Sequence, residues 1–259
     1  ILFLLFAEDP GVFNRHQFTR YLMKFTDESG NDTDMHLHKL FQVLDKPAAE
    51  RNKHLTDELN AFPYVNGHLF KERIDLPSFT TEMREQLIQC CLFNWKDISP
   101  AIFGSLFQSI MNKKARRNLG AHYTSETNIL KLIEPLFLNQ LHDEFNKANA
   151  LKQTKSRNDS LIALMLKIRK LSFLDPACGC GNFLIITYRE IRRLELLIMQ
   201  AQQHDQNQIH LDIEIDPQIS LNNFYGIEID EWPARIAEVA MWLTQHQMNL
   251  EFAKSFGRE

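Results

Sequence analysis

Apolar positions in the first part of the chain recur at helical spacing. Leu37, Leu40, Phe41 and Leu44 fall on one face of a helix, and Phe103, Leu106, Phe107 and Ile110 repeat the pattern. Ser99 followed by Pro100 predicts the start of the second helix. A Ser N-cap is followed by a proline at the first helical position, where its missing N–H breaks no ladder. Between these helices, Pro63 and Asn66-Gly67 are turn signals, so residues 61–70 read as a packed loop or small hairpin. Residues 1–112 therefore read as an all-α domain. A basic run, Lys113, Lys114, Arg116 and Arg117, closes at Gly120 and places a boundary between residues 112 and 113. The run reads either as a solvated linker face or as a contact for phosphates.

Beyond residue 120 the pattern changes. Ile129, Leu132, Ile133 and Leu136 predict a helix, with Thr124 as N-cap and Pro135 bending it or ending its regular ladder. Residues 146–160 are polar and read as an exposed connection. Leu171–Leu174 then gives the short apolar run of a buried strand. Leu184, Tyr188, Ile191, Leu194 and Ile198 share one face of a following helix. Residues 201–222, rich in Gln and Asp, read as an inserted loop, and Phe224–Ile229 as a second strand. Ile236, Val239, Ala240 and Leu243 form a last helical face opened by Pro233. Strand, helix, strand, helix implies parallel strands joined by crossover helices, the opening of a doubly wound α/β sheet. No internal repeat is present.

Composition narrows the class. The chain has 259 residues, 44% hydrophobic and 24% charged, which suits a globular protein with a real core and excludes a disordered one. Its formal net charge of -4 gives no support to a dedicated nucleic-acid-binding module, though a local binding surface remains compatible. The four cysteines, Cys90, Cys91, Cys178 and Cys180, form neither a zinc pattern nor a disulfide framework, which points to a reducing, cytoplasmic compartment. Cys90-Cys91 reads as core, and Cys178 and Cys180 as small packing residues; no metal site is expected. The many phenylalanines of the first half read as core rather than as stacking platforms. The apolar run Ile1–Phe6 is too short to span a bilayer and lacks a basic lead and a start Met, so it is not a signal peptide. It reads as the inside of a helix of a larger protein.

The sharpest chemistry lies in Asp175-Pro176-Ala177-Cys178-Gly179-Cys180-Gly181-Asn182-Phe183, at a predicted strand-to-helix turn. Glycines there allow positive φ and close approach of backbone to a ligand, and the helix beyond offers free N–H groups. An acidic residue at the strand end can pair with a cationic group. A dinucleotide turn would carry a third glycine, but Leu184 stands at that position, and no phosphate-loop lysine is present. An amino-acid zwitterion fits such a turn. The second element is Tyr225-Gly226-Ile227-Glu228-Ile229-Asp230, whose carboxylate at the end of a parallel strand can accept hydrogen bonds from both hydroxyls of a ribose. It lies much farther from the glycines than in a minimal dinucleotide fold. Asp230 and Glu231 are accounted for by complementing a helix N-terminus.

Taken in order, these segments resemble the cofactor motifs of the amino-group DNA methyltransferases. Gly120-Ala121-His122-Tyr123-Thr124-Ser125 resembles the motif that precedes both in their adenine-specific γ arrangement. With the lead-in Phe62–Phe70 and Pro100–Phe107, nearly the whole chain resembles the MmeI-like combined restriction–modification enzymes, in which a helical spacer joins a nuclease to the methyltransferase.

The resemblance implies an all-α helical spacer over residues 1–112, then over 113–259 the N-terminal part of a Rossmann-like methyltransferase sheet that binds S-adenosylmethionine. Tyr123 and Thr124 would contact the methionine moiety, and Asp175 would lie near its amino group. Ala177, Gly179 and Gly181 would line the cofactor with backbone, and Phe183 would pack below the turn. Glu228 would bind the ribose, and Ile229 would lie against the adenine.

Such enzymes also carry an Asn-Pro-Pro-aromatic motif that holds the flipped base. No Pro-Pro occurs in this chain, so the resemblance implies no catalytic residue here and a segment inactive alone. The intact parent is expected to methylate the N6 of adenine in duplex DNA and probe its sequence through regions outside this chain. Two other classes stay open: a non-catalytic helical scaffold with a vestigial cofactor fold, and a nicotinamide dehydrogenase, which the missing third glycine opposes. His122 reads as a hydrogen-bonding or packing residue rather than a catalytic one.

Overall fold

The computed structural model describes residues 1–8, 11–65, 68–71, 74–95, 98–110, 124–206 and 216–257, which form two compact units, Ile1–Ile98 and Ser99–Glu259. The basic run, His122 and Tyr123 lie outside the described residues.

The first unit is helical. Helices α1 (Leu2–Glu8), α2 (Gln17–Phe25), α3 (Thr33–Leu44), α4 (Asp57–Asn60) and α5 (Thr81–Cys91) are joined by loops and two 3-10 turns. The apolar stripe of α3 puts Leu37, Leu40 and Leu44 wholly inside, with Phe41 half-buried at the edge. Phe6, Phe13, Phe18 and Phe62 fill the same core. The Phe62 ring stands edge-on to Phe13, with centroids 5.2 Å apart, and to Tyr21, an arrangement favoured by ring quadrupoles. Thr56 and Thr80 cap α4 and α5 by accepting from the amides of Leu59 and Met83. Within the 61–70 segment the described residues contain no strand; residues 61–65 are loop and His68–Phe70 a 3-10 turn. Arg51 secures this loop, donating from its guanidinium to the carbonyls of Lys46, Asn60 and Phe62. Cys91 is buried, whereas Cys90, about 100° round α5 from it, is exposed, so only one of that pair joins the core.

The second unit carries α6 (Ile102–Ile110), α7 (Glu126–Ile133), α8 (Asn139–Asn149), α9 (Thr154–Arg169), β1 (Phe173–Asp175), α10 (Asn182–Gln206), β2 (Phe224–Gly226) and α11 (Glu231–Ser255). Ser99 opens the turn that leads into α6, its hydroxyl accepting from the amide of Ala101; the helix itself starts at Ile102, later than the Ser99-Pro100 signal predicted. The strands pair in parallel, Phe173 with Phe224, Leu174 with Tyr225 and Asp175 with Gly226. The Phe173 and Phe224 rings stack at 4.9 Å, and Tyr188 of α10 meets Phe224 edge-on. Leu184, Tyr188, Ile191, Leu194 and Ile198 are all buried, so α10 is the central helix of the unit, with α11 packed along it. The unit is thus mostly helical around a two-stranded parallel sheet, and no helix among the described residues is long and apolar enough to cross a membrane.

Several boundaries differ from the expectation. The N-cap of α7 is Ser125, not Thr124. At Pro135 the regular ladder ends, as expected, though the chain stays helical. The proline lies in a π-helical turn, Glu134–Leu138, that runs into α8, because a residue without an N–H is accommodated when the ladder widens locally. Residues 146–160 are not an exposed connection: α8 reaches Asn149 and α9 starts at Thr154, so only four residues join them. Their polarity reflects solvated helix faces, with Ala148, Leu161, Leu164 and Ile168 buried underneath. The insert is also shorter than expected, since α10 continues to Gln206. β2 ends at Gly226 rather than Ile229. On α11 the buried stripe follows Pro233, Ala237, Ala240, Leu243, Met248 and Phe252, leaving Ile236 and Val239 half-buried.

Candidate functional site

The site is built where β1 turns into α10 and β2 runs out beside it. Gly179 and Gly181 both adopt positive φ, +52° and +81°, the region open to glycine without strain. Gly181 is also a close-approach position: a Cβ there would stand 2.8 Å from the Cβ of Ala237, so the bare backbone lets α11 reach the turn. A Cβ on Gly226 would stand 2.6 Å from Cys178 Sγ, so β2 approaches the turn by the same means. Beside Gly179 no described residue lies within 4 Å of the corresponding position, so among the described residues the turn is open there.

Backbone bonds weld the turn to the second strand. The Ile227 amide donates to the Asp175 carbonyl, and the Cys178 amide donates to the Ile227 carbonyl, at 2.9 and 3.0 Å. The Asp175 carboxylate accepts from the Ala177 amide and fixes the start of the turn. Glu228 then joins the two segments. Its Oε2 accepts from the Gly179 amide at 2.8 Å, and its Oε1 from the amides of Ile229 and Asp230 at 2.9 and 3.0 Å.

Thiols flank this carboxylate. Burial pushes the Cys180 thiol up to about 11, with the Glu228 and Cys178 charges adding to it, and burial likewise raises Cys178. Both are protonated at neutral pH, which suits packing and opposes a nucleophilic or metal-ligating role. No group of three or more metal-ligating side chains occurs among the described residues.

Of the predicted residues, the structure brings Asp175, Ala177, Gly179, Gly181 and Glu228 together around the turn. Phe183 is half-buried at the start of α10, and Ala177 is exposed. Ile229 is fully exposed, an apolar plate projecting beside the carboxylate. Thr124 is half-buried just before α7, and Tyr123 lies outside the described residues. Sequence reasoning missed three participants. The amide of Asp230 completes the set holding Glu228. The side chain of Asn182 packs against α6 at Gly104, where a Cβ would lie 2.9 Å from its amide, and its Oδ1 is buried with no partner among the described residues. Arg189 of α10 holds Glu126 of α7 with both terminal guanidinium nitrogens. Gly104 carried a signal, a glycine inside a helical pattern; the other two carried none.

Parallel strands, a glycine turn entering a helix and an acid just past the end of the next strand define a candidate α/β ligand site, with a carboxylate on one side and an exposed apolar residue beside it. Comparison with known proteins gives this class a family. Residues 1–70 match the family described as the MmeI helicase spacer domain, and residues 151–259 the MmeI DNA-methyltransferase domain. The chain is 41% identical over 252 residues to DNA methyltransferase A of Bacillus subtilis, covering 97% of this chain and 27% of that protein. It is 26% identical to a putative type II restriction enzyme and methyltransferase of Methanocaldococcus jannaschii, covering 94% of this chain and 24% of that one. Among solved structures it matches the type IIL restriction–modification enzyme MmeI, determined in complex with DNA, with a TM-score of 0.83 and 52% identity over 99% of this chain and 33% of MmeI. The chain belongs to the MmeI-like restriction–modification proteins, as a stretch of spacer and DNA methyltransferase domain that spans about a quarter to a third of the length of these relatives.

Proposed function

We propose that this chain supplies the S-adenosylmethionine-binding half of an adenine-N6 DNA methyltransferase belonging to a combined restriction–modification enzyme. The observation that carries the reading is the Glu228 carboxylate beside the open face of Gly179. That arrangement fits the cofactor. Glu228 would hold the ribose hydroxyls, Ile229 would face the adenine, and the backbone of Ala177, Gly179 and Gly181 would line the body of the molecule. Asp175, Thr124 and Tyr123 would serve the methionine end, with Phe183 supporting the turn from α10. The bound cofactor would supply the methyl group, and these residues would bind and orient it.

In this reading residues 1–112 are the spacer and 113–259 the cofactor-binding portion. Helix α6 then belongs with the spacer in sequence, while its packing groups it with the second compact unit. Duplex DNA and the remaining regions of the polypeptide are the partners, in the cytoplasm. With no Pro-Pro in the chain, the base-holding motif must come from elsewhere, and this segment alone would transfer no methyl group.

Calorimetric titration of the chain with S-adenosylmethionine, beside a Glu228→Ala variant, tests the cofactor assignment. The expected result is saturable binding that the substitution weakens at least tenfold, about 1.4 kcal/mol. Binding unaffected by the substitution removes Glu228 from the site, and saturable binding of a nicotinamide dinucleotide in place of S-adenosylmethionine refutes the reading. Transfer of label to adenine in duplex DNA by the full-length protein tests the reaction.

A further inference from the structure

Arg189 and Glu126 are 63 positions apart and form a two-pronged ion pair between α10 and α7. Nη1 of Arg189 donates to Glu126 Oε2 at 3.0 Å and Nη2 to Oε1 at 2.5 Å, a two-pronged contact. The guanidinium does not move freely. Its side chain is only 14% exposed, and Glu190 holds it from the same helix, accepting from Nε at 2.9 Å. Glu190 is itself held by Arg193 at 3.0 Å.

The two ends of this contact have different roles in the fold. Arg189 lies on α10, seven residues and so about 10 Å along the axis from the helix start that receives the glycine turn. Glu126 is the first residue of α7, and the Ser125 carbonyl before it accepts the amides of Asn128 and Ile129. The direction in which the chain leaves α7 toward Thr124 is therefore set by that first turn. The rest of α7 docks independently through Ile129 and Ile133, which are buried.

Stability does not explain the arrangement. Glu126 is 40% exposed, and pairs of this kind add at most about 1 kcal/mol to folding. What a two-pronged arginine contact provides beyond charge is fixed geometry.

We propose that the Arg189–Glu126 clamp is a positioning device for the cofactor site, holding the Thr124–Ser125 strap at a set distance from the glycine turn so that both can engage the same ligand. The inference rests on the reading of the turn as a S-adenosylmethionine cradle. Neither side chain touches the ligand; each acts through the backbone it holds. The bound guanidinium keeps the Glu126 carboxyl below its ordinary range, so the clamp is fully charged at neutral pH.

The experiment uses the full-length protein and measures S-adenosylmethionine affinity, kcat at saturating cofactor, and thermal midpoint. Glu126→Gln and Arg189→Lys are each expected to weaken cofactor binding roughly five- to tenfold, with kcat within about twofold and the midpoint nearly unchanged. Arg189→Lys matters because it keeps the charge and loses the fork. The swapped pair Glu126→Arg/Arg189→Glu, made with Glu190→Gln so that the new carboxylate meets no like charge, is expected to restore affinity to within about twofold. If the wild-type protein binds no S-adenosylmethionine, the cradle reading fails and the clamp falls with it. If the wild type binds and the single variants bind equally well, the clamp alone is refuted. Loss of affinity in step with the thermal midpoint, without rescue by the swap, would make the pair a plain packing contact and also overturns the proposal.

Discussion

Removal of Glu195 should harm the second unit strongly. Its side chain is wholly buried on α10, and its Oε2 lies 2.8 Å from Nε of Arg192, which is 1% exposed. Oε1 accepts the amides of Gln218 and Ile219, at 2.5 and 3.0 Å, where the chain returns toward β2. Arg192 is further held by the Tyr188 hydroxyl at 2.7 Å and Asn249 Oδ1 at 3.0 Å.

Glu195→Ala leaves a buried cation without its counter-charge and two amides without their acceptor. Breaking such a pair on one side costs about 3–5 kcal/mol, against a typical total of about 5–15. For a unit of this size each kcal/mol moves the midpoint by about 2–4 °C, so the expected drop is roughly 6–20 °C. Burial pushes the Glu195 carboxyl upward against the pull of Arg192, so the native state already bears a desolvation cost for this charge. Removing both charges in Arg192→Met/Glu195→Met should therefore be milder than the single change, by about 1 kcal/mol or more, with the two orphaned amides accounting for what remains. Urea unfolding followed by circular dichroism gives both numbers. A single variant within about 1 kcal/mol of wild type, or a double variant no better than the single, would refute this account.

Three further outcomes follow from the site. Gly181→Ala combines a left-handed backbone with a contact 2.8 Å from Ala237, and should destabilise by about 2–4 kcal/mol in a thermal melt; a change under about 0.5 would show that α11 yields easily. Iodoacetamide at neutral pH should label the exposed Cys90 well before Cys91 and Cys180, whose thiols are pushed up to about 12 and about 11; early labelling of Cys180 in peptide mass spectra would contradict its burial. Because Arg189 depresses Glu126, the clamp's contribution is fully present above the ordinary carboxylate range and is lost as pH falls through the depressed value. Cofactor affinity should thus be flat near neutrality and weaken only under acid conditions that protonate Glu126; the Glu126→Gln variant should lack that acid limb.

The sequence displayed those elements whose buried faces are continuous. Leu184 to Ile198 marks α10 because every turn contributes an apolar side chain to the interior. α9 was unreadable in its first two turns because its burial begins only at Leu161, and the residues before it are solvated polar types that also compose loops. The far half of α11 had the same difficulty, with Met248 and Phe252 alone marking its inner face amid Gln, His and Asn. In the site, the glycines and Glu228 stood out because turn geometry and strand-end position restrict residue type. The amides that hold Glu228 left no trace, since any residue supplies an N–H. The Arg189–Glu126 contact left none either, as no periodicity relates residues on α10 and α7.

The three amides on Glu228 also change what ligand entry means. A carboxylate has about four lone-pair positions, and three are engaged in the folded chain. The chain's own amides thus occupy the carboxylate and tie the glycine turn to the second strand without a ligand. A ligand presenting two vicinal hydroxyls does not simply add two bonds; it trades one of them against the Gly179 amide. The heat released on entry would then be small for the number of polar contacts formed. Under the proposed reading, water shed by a flat ring against the exposed Ile229 would then add to the affinity that the carboxylate supplies, so this strand end would select for base and sugar together.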